Sequence, residues 1–335
     1  MIKDKRHFGR LLAVLCAATL FPLSATAAQT GEFSEEDALG IAKYVLSSES
    51  GTSEDCNGDG IINAIDLLII KRGIIAESTG NSGEFADFSA KWPDKFYSDD
   101  TITSDETSYK SRNVNMTVTK ESDGVNTWYV MDIYLRSMEH LHGAFANDAF
   151  DKTTEWPQTM SENHGAICAI NADLYANRSS GIIIRDGVLY RDVIKSDTFV
   201  VYKDGTAKNI LKGNCDAQAE LDAGAWQSYS FGPALIVDGV KQTGYSGYIA
   251  GVHPRSGIGY YEPGHYCLVL VDGRQDGYSV GVTLDEFTTL FDDLGCVEAY
   301  NLDGGQSSMM LYQQELVNQT YRNGRKTSDI IYISE

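Results

Sequence analysis

Four short polar clusters interrupt apolar runs in the second half of the chain, and their residue types suit a site that handles an anion beside a carboxylate. Asn171 and Asp173 break AINADLY, and His253 and Arg255 open HPRSGIG. Asp272 and Arg274 flank a glycine in LVDGR, and Asp303, Gly304, Gly305, Ser307 and Ser308 break CVEAYNLDGGQSSMML. Arginine can bind two oxygens of one oxyanion. Paired glycines reach φ > 0 and leave backbone N–H groups uncovered, and a carboxylate fixed at a strand end can act as base or nucleophile. Each cluster also has a plain structural alternative. Asp303-Gly304 could tip a hairpin, His253 could be a satisfied core histidine, Asn171 could close a turn, and Arg274 could pair with Asp272. All four being incidental is the weaker reading, because loops at strand ends are where a rigid sheet presents chemistry.

A different chemistry is written near the N-terminus. In DCNGDGIINAID, Asp55, Asn57, Asp59, Ile61, Asn63 and Asp66 fall at positions 1, 3, 5, 7, 9 and 12 of a loop whose position 6 is Gly60. Oxygen side chains at alternate positions, a main-chain carbonyl at position 7 and a glycine for the sharp turn are what Ca²⁺ requires.

The elements that must position these residues follow from periodicity. GEFSEEDALGIAKYVL, with Ser34 as cap candidate and apolar residues at helical spacing, predicts a helix before the calcium loop. IAESTGNSGE reads as a linker. Beyond it, Asn113 to Thr119 and Thr127 to Leu135 alternate on either side of ESDGVN and predict a hairpin. Met160 to Tyr175 predicts a helix end followed by a buried strand. Asp186-Gly187, Asp204-Gly205 and Asp238-Gly239 mark further hairpin turns. Thr283 to Leu294 predicts a helix with Thr283 and Glu286 as a capping box and Gly295 as its stop. Many strands and few helices give an α+β class: a sheet-rich domain of mixed or antiparallel sheet, preceded by a small helical calcium module.

Residues 1–28 read as a signal peptide, with Lys3, Lys5, Arg6 and Arg10 ahead of an apolar run and Ala25-Thr26-Ala27 for cleavage. The expected divisions are therefore leader 1–28, calcium module 29–76, linker 77–91 and main domain 92–335, secreted, extracellular or bound in a cell-surface assembly. No other stretch approaches the length of a membrane span. Loss of four basic residues and one acid with the leader takes the formal charge from −20 to −23. A chain this acidic will not bind nucleic acid non-specifically, so an anionic substrate must be met by local arginines. Cys56, Cys168, Cys215, Cys267 and Cys296 are odd in number and irregularly spaced, and three sit in apolar runs, which predicts free buried thiols.

The calcium loop, running straight into the helix from Leu67 with Lys71-Arg72 behind it, resembles a dockerin. That resemblance implies docking to a cohesin on a scaffoldin of a cellulosome-like assembly. The preceding half aligns Thr26, Ala28 and Thr30 with ligand positions and so offers no second calcium site. The main domain resembles the phosphodiester glycosidase family through AINADLY, SSGIIIRDGVLY, FGPALIVDG, HPRSGIG, LVDGR, NLDGGQSS and a closing Arg325. It departs from the family at Ala172, Asp173 and Leu174, which replace a Gly, a Gly and an aromatic and predict an added carboxylate and bulk near the substrate. The resemblance implies a hydrolase cleaving a sugar-1-phosphodiester of the α-N-acetylglucosaminyl type, or a related exopolysaccharide or cell-wall linkage. Asp303 or Asp272 would be nucleophile or base, and His253, Arg255 and Arg274 would face phosphate. Asn171, Asp173, the Gly304 and Gly305 amides, Ser307 and Ser308 would bind substrate. The alternatives are a non-catalytic carbohydrate-binding component and a glycosidase of ordinary glycosides. No cofactor is indicated for this domain.

Overall fold

The computed structural model describes residues 84–335. The expected leader, calcium loop, helices beside it and linker up to residue 83 lie outside the described residues. The chain is already tied into the main domain at Ala86 and Phe88, whose backbone N–H groups bond to the carbonyls of Lys203 (3.2 Å) and Arg136 (2.7 Å). The Phe88 ring fills space that side chains at Gly205 and Gly264 would take. The domain thus takes in part of what reads as linker, because a phenylalanine buried there outweighs the polar composition around it.

Two antiparallel sheets carry the domain. The larger has nine strands, and its centre runs Val114–Ser122, Thr127–Leu135, His265–Val271, Arg255–Glu262, Glu298–Asn301 and Ala234–Val237 in spatial order. The smaller has five, in the order Glu315–Leu316, Met310–Tyr312, Cys168–Asn171, Asp329–Ile333 and Leu141–Phe145. A three-stranded sheet and the hairpin Gly181–Arg185/Val188–Val193 complete the layers. Every strand pair is antiparallel. The hairpins expected from alternation and from Asp-Gly turns form where the sequence placed them.

One apolar cluster joins the two large sheets. Met131, Ile133, Leu268, Leu270 and Tyr300 from the nine-stranded sheet meet Ile170, Met310, Ile331 and Ile333 from the five-stranded one. The other face of the larger sheet is also covered. Cys267, Val269 and Val271 alternate with the first set along HYCLVLV and pack on Leu284, Phe287 and Phe291 of the helix Leu284–Asp293. This explains why that strand is apolar throughout rather than alternating. Burial of each such side chain contributes roughly 1.5–3 kcal/mol, so three of them fix where the helix lies. Its N-terminus carries the expected capping box of Thr283 and Glu286. A second helix, Pro157–Asn163, covers the outer face of the smaller sheet through Met160. Among the described residues no helix is long and apolar enough to cross a membrane.

Candidate active site

The polar clusters lie where strands of the two large sheets end together. Asn171 is the last residue of its strand, Arg255 is the first of its own, and Arg255 stands opposite Val271 in register. Asp303 follows the strand Glu298–Asn301, whose Asn301 pairs with Gly257. The Asp303-Gly304-Gly305 turn is not a hairpin tip. The strand before it belongs to the larger sheet and the strand after it, Met310–Tyr312, to the smaller, so the turn carries the chain from one sheet to the other.

Asp303 is 6% exposed, and its Oδ2 accepts from Arg325 Nη2 at 2.8 Å. Arg325 Nε donates to Ser307 Oγ at 2.6 Å, so one guanidinium grips both the carboxylate and the hydroxyl beside it. Burial raises the Asp303 pKa above the ordinary carboxylate value, against the lowering pull of Ser307, Arg325 and, more distantly, Arg178. Arg325 closes the site although it lies 22 residues from Asp303; nothing in the local pattern around it signals that contact.

Asn171 fixes this turn from behind. It is wholly buried; its Nδ2 donates to Asp303 O at 2.6 Å, and its Oδ1 accepts from Ser256 Oγ at 2.9 Å and from Met309 N at 3.2 Å. One amide thus ties the two sheets and the turn together and has no atom facing outward. Of the turn amides, Gly305 N–H donates to Pro254 O at 3.0 Å, while Gly304 N–H has no partner among the described residues. A Cβ on Gly304 would lie 2.6 Å from Pro254 O, so only glycine lets the turn approach the HPR segment this closely. Ser308 is buried with its hydroxyl unpartnered.

Arg274 lies across Gly305. A Cβ there would come within 3.1 Å of Arg274 Nη1. The guanidinium also packs 5.6 Å from the Tyr321 ring and holds a left-handed backbone at φ 58°, strain of the kind found at functional sites. Its Nη2 donates to His253 Nδ1 and to Tyr248 Oη, each at 3.0 Å. Because arginine can only donate, Nδ1 of His253 must accept, so its Nε2 carries the proton and donates to Tyr248 O at 2.8 Å. Burial, then the nearby Arg274 and Arg255, lower the His253 pKa, against its hydrogen bond to the Tyr248 carbonyl. The ring is therefore neutral and orients Arg274. Tyr248, 79% exposed, meets Arg274 and His253 from the solvent side; it sits inside the glycine-rich GYSGYIAG, where no pattern marks it.

Besides Asn171, three residues expected at the substrate are placed elsewhere. Asp173 is buried in an ion pair with Arg185 (3.1 Å), which also binds Asp329 (2.6 Å), and accepts from Ser230 N at 2.9 Å. The carboxylate expected to crowd the sugar is buried inside the protein, because a guanidinium on the strand Gly181–Arg185 offers it a partner there. Arg255 is 3% exposed and donates to the carbonyls of Val282 and Gly251. Burial, followed by the proximity of Arg274, lowers its pKa to about 10. Asp272 does not pair with Arg274: it accepts from Asn318 Nδ2 (2.8 Å), Tyr278 Oη (2.9 Å) and Gln319 N (3.0 Å), and burial raises its pKa against those donors. It shapes the loop beneath the site through Asn318, which also reaches Ser308 O at 3.2 Å. Among the described residues no group of histidine, cysteine and acidic side chains is arranged to hold a metal.

Arg178, Arg274 and Arg322 have no carboxylate partner among the described residues. The site therefore combines one gripped carboxylate with a guanidinium, that of Arg274, which no carboxylate neutralises.

A family model for phosphodiester glycosidases matches residues 164–334. The chain belongs to that family. A dockerin type I model matches residues 31–75 and again 53–90. In sequence the chain is 32% identical, over 170 residues, to an uncharacterized SPβ prophage-derived protein of Bacillus subtilis (strain 168); the match covers 48% of this chain and 26% of that protein, so the chain spans about a quarter of its length. In structure the chain is similar to the zebrafish N-acetylglucosamine-1-phosphodiester α-N-acetylglucosaminidase catalytic domain auto-inhibited by its pro-peptide. The TM-score there is 0.55 at 19% identity, covering 72% of this chain and 86% of that one. A hypothetical protein from Synechocystis matches with TM-score 0.53 at 15% identity, covering 70% of this chain and 64% of that one. At these identities the structural matches establish the shared fold.

Proposed function

We propose that this family member hydrolyses a sugar-1-phosphodiester of an extracellular glycan, with an α-N-acetylglucosaminyl phosphodiester as its nearest chemical model, and that its dockerin carries it to a cohesin in a cellulosome-like assembly. The observation that supports the reaction most is the buried Asp303 carboxylate held by Arg325 and Ser307 next to the acid-free guanidinium of Arg274. In the reaction the bond between the anomeric carbon and the phosphate oxygen breaks, and its electron pair leaves with the phosphate. A phosphomonoester has a second pKa near ~6, so this leaving group needs little help from a general acid. Its growing charge does need neutralising, which is the role for Arg274 and the Gly304 N–H. Asp303 is the carboxylate for the oxocarbenium-like carbon, either as nucleophile or as base for water. Arg325 and Ser307 favour its ionised form against the effect of burial and fix its direction, and Asn171 locks the turn that presents it. Asp272 and Arg255 act as supports in this scheme.

Incubation of the protein with an α-GlcNAc-1-phosphodiester or UDP-GlcNAc should release free sugar. Turnover of plain glycosides with no phosphodiester cleaved would replace this reading with an ordinary glycosidase. Glycan binding without any turnover, unchanged in Asp303→Asn, would replace it with a binding component.

A further inference from the structure

The four described cysteines are all buried thiols, and two of them face each other. Cys267, on the strand His265–Val271, and Cys296, just after the helix Leu284–Asp293, bring their Sγ atoms to 3.6 Å. They meet above Gly259 of the strand between them; a Cβ there would lie 2.6 Å from one sulfur and 2.7 Å from the other. The glycine clears the space the two sulfurs occupy. We infer that Cys267 and Cys296 are joined by a disulfide when the chain folds in an oxidising medium, so that the segment between them is closed into a covalent loop. A disulfide needs its sulfurs at about 2.05 Å, so the two Sγ atoms must close by about 1.5 Å for the bond to form.

The segment so closed contains Asp272, Arg274 and the helix Leu284–Asp293, the whole arm that brings Arg274 onto Gly305. The oxidant is a small-molecule disulfide acting by exchange. One cysteine thiolate attacks it and expels one thiol, and the second cysteine attacks the mixed disulfide and expels the other. Two cysteine thiols and one disulfide thus become one protein disulfide and two small thiols. Contact with Cys267 and then burial hold the Cys296 thiol protonated in the folded protein. The bond accordingly forms while the chain folds and is afterwards shielded from reductant.

The test is to fold the full chain in a mixture of reduced and oxidised glutathione, unfold it in denaturant, and alkylate with iodoacetamide. The wild type should show two fewer alkylated thiols than a reduced control, and a proteolytic map should link the peptides of Cys267 and Cys296. Protein folded with reductant throughout should melt about 5–10 °C below the oxidised form, a difference absent from Cys296→Ala. Full alkylation of both cysteines, or linkage of either to Cys56, Cys168 or Cys215, overturns the inference. The peptide map is read on the wild type and stands even where the variant fails to fold.

Discussion

At the scale of single residues the cleft contains two titrating groups whose shifts run in opposite directions. Burial raises Asp303 and lowers His253, so each disfavours its charged form. For Asp303 the consequence lies on kcat. Its carboxylate must be ionised to act, so the acidic limb of kcat should sit above the ordinary carboxylate range and vanish in Asp303→Asn. That variant keeps shape and the Arg325 contact, and kcat should drop ~10²-fold or more, as for a lost acid/base group, with melting temperature nearly unchanged. An active but destabilised Asp303→Asn would make the residue a structural cap of the turn. For His253 the consequence lies on KM. Neutral, its Nδ1 accepts from Arg274; protonated, it faces that guanidinium as a second cation. Because its pKa is lowered, the neutral form persists through pH 7, and protonation sets in only below the ordinary histidine value of 6.5. KM for a phosphodiester should therefore rise as pH falls through that region while kcat is spared. His253→Ala should raise KM at pH 7 and flatten its pH dependence. A KM that tracks kcat in the variant would point instead to a histidine taking part in the chemical step.

Among the elements, those legible from sequence are the ones whose partners are local. The hairpin across ESDGVN, the Asp-Gly turns and the Thr283–Glu286 capping box each encode their structure within a dozen residues. Asp303-Gly304-Gly305 carries the same local signal as a hairpin but crosses between sheets, because Glu298–Asn301 and Met310–Tyr312 find separate partners far along the chain. The clustering of Asp303, Arg274, His253 and Ser307 could be anticipated from strand ends. The diversion of Asp173 could not, since it depends on Arg185 and Asp329 arriving from other elements. That buried triad ties the loop after Cys168–Asn171 to the strands Gly181–Arg185 and Asp329–Ile333. Removing one partner of such a group leaves uncompensated buried charge, so Arg185→Met should cost about 3–5 kcal/mol, read as a fall in denaturation midpoint. Whatever folded protein remains should keep its KM, because the triad is buried inside the protein. A stable variant with an altered KM would return Asp173 to the substrate.

At the scale of the whole molecule the chain divides into a unit of residues 1–82 and a unit of residues 83–335, and the chemistry divides with it. The formal charge of −20 argues that non-specific attraction cannot bring this protein to an anionic glycan. In the proposed function, location comes from the specific contact of the dockerin, and recognition from Arg274 beside Asp303. Calcium bears on the first of these alone, through the dockerin loop. Asp55, Asn57, Asp59, Asn63 and Asp66 supply side-chain oxygens at the loop positions a Ca²⁺ site uses, whereas Thr26, Ala28 and Thr30 stand at the aligned positions of the preceding half. Calorimetric titration of the full chain with Ca²⁺ should therefore give a stoichiometry near one. Weak binding by the many surface acids would add a shallow background, which the double variant Asp55→Ala, Asp59→Ala separates by removing the tight phase alone. The same variant should lose capture by an immobilised cohesin and keep its sugar-releasing activity, since neither residue belongs to the unit that contains Asp303. Two tight sites would show that the first half still holds calcium despite its missing ligands. No tight site would remove the ion from the docking step.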